Sequence, residues 1–238
     1  MEADGRPLHF GGRWFAKDVI LLCVRWYVAY PLSYRNLEEM MAERGIDVDH
    51  STINRWVLQY SPQLEKNFRN KKNAVGKSWR MDETYIKIKG QWNGAATRYL
   101  YRAVDKQGNT VDFLLTARRD KSAAKRFFAK AIGSSGLPEK INIDKSGSNK
   151  SAVDSLNSTQ RKKKRKKILL RQVKCLNNIV EQDHRGIKRI TKQMLGFKSF
   201  YSAQKTIAGI ELMHMIRKQQ MDNPGNLSSA EQFYSLAG

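Results

Sequence analysis

Residues 79–89 read Trp-Arg-Met-Asp-Glu-Thr-Tyr-Ile-Lys-Ile-Lys, and their patterning decides the fold. In the helical segments upstream, apolar residues recur at spacings of three and four; here the period falls towards two. A period of two belongs to a strand with one face in a core, so Asp82, Thr84, Ile86 and Ile88 share a face. A carboxylate on such a face costs free energy unless it is paired or bound to a cation. Asp82 is therefore the first candidate functional residue.

Working downstream, Arg98–Lys106 and Thr110–Thr116 are also strand-like, and Gln107-Gly108-Asn109 between them is a hairpin turn signal. Asp120–Gly133 reads as a helix with Ala124, Phe127, Phe128 and Ile132 on one side. Lys140–Ile143 is a short apolar strand after Pro138. A Ser/Gly/Asn-rich segment and the basic run RKKKRKK at 161–167 follow. Ile168–Leu176 reads as a strand, Ile179–Met194 and Ser202–Arg217 as long helices, and the stretch from Asp222 as a frayed polar tail.

Working upstream, Val19, Leu22, Cys23, Trp26 and Tyr27 form one helical face, and Pro31 ends that helix. Ser33 offers an N-cap for a second helix with Leu37, Met40 and Met41, which Gly45 stops. Ser51 reads as the cap of a third helix carrying Ile53, Trp56, Val57 and Tyr60, with Pro62 just beyond. Three helices and a linker thus precede the order β-β-β-α-β-α-β-α-α, without an internal repeat. The domains expected are a flexible leader (1–14), a helix-turn-helix domain (15–62), a linker (63–77), an α/β (α+β) mixed-sheet domain (78–220) and a polar tail (221–238).

Composition narrows the function. Lys and Arg number 44 against 22 Asp and Glu, a net charge of +22 with a pI near 10.1. Such a chain is built to meet a polyanion; nucleic acid is the default partner, with a membrane surface or a merely solvated basic protein as rivals. Five Trp, nine Tyr and nine Phe argue against a disordered chain. Cys23 and Cys175 belong to no CxxC or Cys/His cluster, which argues against structural zinc; they read as buried thiols of a reducing cytosol. The longest apolar stretch, Val19–Val24, is far short of the ~20 residues of a membrane span. No secretory signal is legible at the N-terminus, so a soluble intracellular protein is expected.

Tyr34–Tyr60 fits a helix-turn-helix. The first turn of the second helix would reach base edges in a major groove, where Ser51, Thr52, Asn54 and Arg55 can bond to bases or phosphates. The alternative is an ordinary helix pair whose polar residues are caps and solvated faces.

Two further carboxylates join Asp82. Asp144 closes the strand Ile141–Asp144, and Glu181 lies in the following helix. Two strand-borne Asp and a helix-borne Glu suit a two-metal phosphoryl-transfer site, with hard oxygen ligands for magnesium. Each acid taken alone has a plainer reading. Asp82 and Asp144 can pair with nearby Lys or Arg, and Asn178-x-x-Glu181 is a capping box. Lys188, two turns after Glu181 on the same helix face, can grip a phosphate beside the metals, with His184 and Arg185 one turn away; a solvated basic face is the alternative. In the basic run, Lys162, Lys163 and Lys164 are candidate DNA-backbone contacts, against an import-like patch or a solvated loop.

The segments VILLCVRWYVAYPLSYRNLEEMMAERGIDVDHSTINRW, WRMDETYIKIKG, YLYRAVDKQGNTVDFLLTARRD, INIDKSGSNK, LNNIVEQDHRGIKR and MLGFKSFYSAQKTIAGIELMHMIRK resemble bacterial transposases of the insertion-sequence-six family. The resemblance covers most of residues 13–220. It implies a helix-turn-helix followed by an RNase H-like catalytic domain, with the DDE triad at Asp82, Asp144 and Glu181 and a following basic residue at Lys188. It also implies two Mg2+ ions, with Mn2+ as a substitute, acting on double-stranded DNA: 3′-end cleavage at terminal inverted repeats, strand transfer into target DNA and replicative, cointegrate-forming transposition. A dimer or higher homo-oligomer on DNA, no membrane, and a nucleoid-associated place in the bacterial cytoplasm go with it. Two stretches depart from the family pattern: the turn at 91–98 is longer than usual and the run at 161–167 is denser. A non-catalytic DNA-binding protein is the rival reading, and an RNA-acting nuclease of the same fold a third.

Overall fold

The computed structural model describes residues 15–89, 95–162, 164, 166–194 and 196–238. The expected leader, residues 91–94 of the long turn and Lys163 lie outside the described residues. The chain forms two compact units: Met1–Asn73, Lys89–Gln91 and Ile187–Gly238 make the first, and Ala74–Ile88 with Trp92–Gly186 the second.

In the first unit, α1 (Lys17–Ala29), α2 (Tyr34–Ala42) and α3 (His50–Arg69) pack with α7 (Phe200–Arg217) and α8 (Ser229–Tyr234). The buried stripe of α1 is Ile20, Cys23, Val24 and Tyr27, rotated from the expected face, because Val19–Val24 is apolar all round and fits either stripe. Ser33 caps α2 in a capping box with Asn36. Gly45, at φ 71°, turns the chain after α2 where a side chain would be strained. The cap of α3 is Asp49 rather than Ser51. Its carboxylate accepts from the backbone N–H of Ser51 (2.8 Å) and Thr52 (3.1 Å), and a negative charge suits a helix N-terminus better than a hydroxyl.

Pro62 does not end α3, which runs on to Arg69. An internal proline costs about 3 kcal/mol. Continuing the helix buries Leu64 and Phe68 completely, at about 1.5–3 kcal/mol each, so burial wins. The tail is likewise ordered. Ser228 and Glu231 form a capping box, and Phe233 and Leu236 are buried. Arg25 donates to the Tyr234 hydroxyl (2.8 Å), and the Asn67 amide to the Leu236 carbonyl (2.8 Å).

The second unit holds a five-stranded mixed sheet in the order β3-β2-β1-β4-β5, the RNase H-like arrangement. Its strands are β1 (Ser78–Lys89), β2 (Ala95–Val104), β3 (Thr110–Thr116), β4 (Lys140–Asn142) and β5 (Leu169–Arg171). β2 and β3 are an antiparallel hairpin whose turn Asp105 organises, accepting from the N–H of Gln107 and Asn109, both at 2.9 Å. β4 runs parallel to β1 with Trp79 beside Ile141, and β5 parallel to β4. Helices α4 (Lys121–Ser135) and α5 (Gly147–Lys162) share one core with Trp79, Met81, Tyr101 and Ala103 of the sheet. The Ser/Gly/Asn-rich stretch is thus α5, which takes in Lys162 of the basic run. Arg102, between Tyr101 and Ala103, faces the other way and pairs with Asp183 of α6 (Asn178–Gln193) at 2.8 Å.

The expected strand Ile168–Leu176 shrinks to three residues, and Lys174–Asn177 form a 3-10 turn instead. Buried Asn142 causes this: its amide donates to the Val173 carbonyl (3.0 Å) and the Asn177 side chain (2.5 Å), drawing the chain out of the sheet. Cys175 in that turn is exposed, contrary to expectation, whereas Cys23 is buried.

Where α1, α3 and α7 meet, a Cβ on Gly209 would lie 2.7 Å from Val28 Cγ1 and 2.9 Å from Ser61 Cβ. Gly209→Ala should therefore destabilise the fold by about 1–3 kcal/mol, read as a lower urea midpoint, although alanine is the better helix former.

Candidate active site

The pairing of β1 with β4 ends at Arg80 beside Asn142. Asp82 and Asp144 each lie two residues further, so the parallel register carries both to the same carboxyl edge of the sheet. That edge is where open α/β sheets bind their ligands. Alternation puts Asp82 on the α6 face of β1 and Glu83 on the α4/α5 face. Past the pairing with β4 the two side chains converge nonetheless. One carboxylate oxygen each from Asp82, Glu83 and Asp144 lies within 4.8 Å of the others.

Burial pushes the Asp82 carboxyl up to about 6, and the charges of Glu83, Asp144 and Glu181 add to the shift. The Glu83 carboxyl is also raised, chiefly by burial, against the opposing pull of Asn149 and Arg119. Arg119, in the connection between β3 and α4, donates from Nη2 to Glu83 Oε2 (3.2 Å) and Asp144 Oδ2 (3.0 Å). Asn149 of α5 is fully buried; its Nδ2 donates to Glu83 Oε1 (2.9 Å) and lies 3.5 Å from Asp144 Oδ1. Two neighbouring carboxylates fix which amide atom is the donor. The Asn149 Oδ1 is buried and has no hydrogen-bond partner among the described residues. Three crowded hard carboxylate oxygens are a donor set that fits a divalent cation.

The sequence-predicted residues divide. Asp82 and Asp144 come together, and Glu181 is exposed on α6 with its charge acting on Asp82. The capping alternative for Glu181 fails, because Asn178 is helical (φ −53°, ψ −34°) and an N-cap must be extended. The ion-pair alternative holds for Asp144 through Arg119; Asp82 instead has buried His184, its Nδ1 3.8 Å away. Arg185 is exposed on the same half of α6, and Lys188 is exposed in the half that groups with the first unit. Ser51 and Thr52 hydroxyls donate to Asp49 (2.5 and 2.6 Å), which holds its carboxyl well below the usual range. Arg55 Nη2 in turn donates to the Thr52 hydroxyl (2.6 Å), and Asn54 is half-buried. Lys162 and Lys164 are exposed. Glu83, Arg119 and Asn149 join the site without any sign of it in the sequence pattern.

A family model described as a DDE domain matches residues 76–220. The transposase for insertion sequence-like element IS431mec of Staphylococcus aureus (strain N315) is 40% identical over 212 residues, 89% of each chain. The transposase for insertion sequence element IS257 in transposon Tn4003 of Staphylococcus aureus is 39% identical over the same length and the same shares. The chain belongs to the insertion-sequence-six family of DDE transposases. Divalent-metal use follows from that membership. The HTLV-2 integrase catalytic core domain in complex with magnesium, dimeric form, is 16% identical with a TM-score of 0.44, covering 69% of this transposase and 98% of that chain. Its trimeric form is 15% identical with a TM-score of 0.38, covering 68% and 84%. No described helix of the transposase is long and apolar enough to cross a membrane.

The buried Arg102–Asp183 pair ties the Glu181 end of α6 to β2. Arg102→Met should cost about 3–5 kcal/mol in chemical denaturation, because it removes the guanidinium that pairs with a buried carboxylate.

Proposed function

We propose that this transposase binds the terminal inverted repeats of its element and performs metal-dependent cleavage and strand transfer with Asp82, Asp144 and Glu181. The convergence of Asp82 and Asp144 at one sheet edge carries this reading. Asp82 and Asp144 would hold the metal ions, and Glu181, whose charge reaches Asp82, would complete the set. Two Mg2+ ions, replaceable by Mn2+, would activate the attacking oxygen and stabilise the leaving oxygen when bound. The carboxylates' share is to fix where those charges sit. Asn149 orients Glu83 and Asp144 from the buried side. Lys188 and Arg185, exposed on α6, are read as phosphate contacts.

Double-stranded DNA is the substrate class the charge of +22 favours. In α3, Arg55 is the strongest candidate for groove contact, being exposed. Asn54 follows, while Ser51 and Thr52 already serve Asp49. Pairing two element ends calls for a homo-oligomer, and strand transfer without second-strand cleavage gives replicative, cointegrate products. The work would be done at the bacterial nucleoid.

The test uses a duplex ending in the inverted repeats that flank the reading frame. Asp144→Asn and Asp82→Asn should lower Mg2+-dependent nicking by roughly 10³-fold or more while leaving duplex binding in EDTA intact. Full nicking by Asp144→Asn would sink the mechanism, and binding without nicking by wild type at every metal concentration would favour a non-catalytic DNA-binding protein. Replacing Arg161, Lys162 and Lys164 by Gln should weaken binding evenly across sequences. It should also flatten the log K against log[salt] line by about one for each phosphate no longer neutralised, as filter binding would show.

A further inference from the structure

We propose that Arg119 is the resident counter-cation of the carboxylate cluster, and that divalent ions must displace its guanidinium to bind; this rests on the metal reading above. Its Nη2 alone bridges Glu83 and Asp144, at 3.2 and 3.0 Å, two of the three acids whose oxygens converge. Glu83 is almost wholly buried (side chain 3% exposed), so its charge needs a partner inside the protein. Asn149 supplies a hydrogen bond but no charge, which among the described residues leaves Arg119 as the cation seen on Glu83 and Asp144.

Arg119 sits in a connection rather than in a helix or strand, and its side chain is about one-third exposed (34%). It can therefore swing out without breaking the core. A guanidinium and a divalent cation cannot both take the same face of Asp144, since donor and metal compete for the same lone pairs and repel each other. Arg119 is thus a positioning residue. In the metal-free protein it keeps Glu83 and Asp144 converged against their mutual repulsion, and it sets the metal concentration at which the site fills.

Two measurements on the full chain test this. Calorimetric titration with Mn2+ should show Arg119→Gln binding on the order of tenfold more tightly than wild type, with Arg119→Lys in between. Thermal unfolding should find Arg119→Gln less stable than wild type in EDTA, with the gap closing as Mg2+ is added, because the ion takes over the missing positive charge. A role in folding alone would lower the midpoint by the same amount at every Mg2+ concentration and leave the Mn2+ affinity unchanged; that pair of results would overturn the inference while leaving the metal reading intact. Failure of wild type, Arg119→Gln and Arg119→Lys alike to bind Mn2+ would overturn the metal reading, and the inference with it.

Discussion

Like charges held together are the constraint on which this structure turns. Asp82, Glu83 and Asp144 gather just past the point where the pairing of β1 with β4 ends, and burial makes the charges of Asp82 and Glu83 costlier than in water. Carboxylates on flexible loops would drift apart. These stay because two parallel strands set their spacing and because Arg119 and Asn149 hold Glu83 and Asp144 from the side. Asp82 faces His184 rather than the guanidinium, and the repulsion it still feels from its acidic neighbours is what a divalent cation would relieve.

The approach of α6 follows from the same need to satisfy buried polar groups. Asn142 ends β4 and turns its amide on Val173 and Asn177, so β5 stops after three residues and a 3-10 turn leads into α6. Arg102 then clamps Asp183. Between these fixed points Glu181 has no freedom to choose its side of the helix. A short strand and a buried ion pair, each unfavourable taken singly, together fix the first turns of α6, from which the Glu181 charge acts on Asp82.

The outline of this fold and two residues of its candidate site are legible in the sequence, and the misses have physical causes. Asp82 and Asp144 stand out because an acid on or closing an apolar strand is anomalous. Glu83 does not, since the period of two puts it on the opposite face, and only the end of pairing with β4 at Arg80 lets both faces meet at one edge. Arg119 and Asn149 stand in segments without periodicity, where tertiary placement alone gives them meaning. Pro62 and the polar tail mislead for another reason: local signals argue for ends, whereas the burial of Leu64, Phe68, Phe233 and Leu236 decides otherwise. In α3, Ser51 has the chemistry of a cap, but Asp49 stands two residues nearer the turn with a charge to offer.

The contrast between a net charge of +22 and an acidic site also has a mechanistic reading. The summed positive field draws a polyanion in from beyond the Debye length, about 8 Å at physiological salt. At the cluster the balance is different: among the described residues, three carboxylates converge with the Arg119 guanidinium on two of them, and carboxylates repel a phosphate. On the function proposed above, DNA held elsewhere on the basic surface would not settle a phosphate on these acids until cations neutralise them. Attraction at long range and rejection at short range would, on that proposal, make cation binding the condition for reaction rather than for association. That separation suits a transposase, which gains nothing from cutting the first duplex it meets.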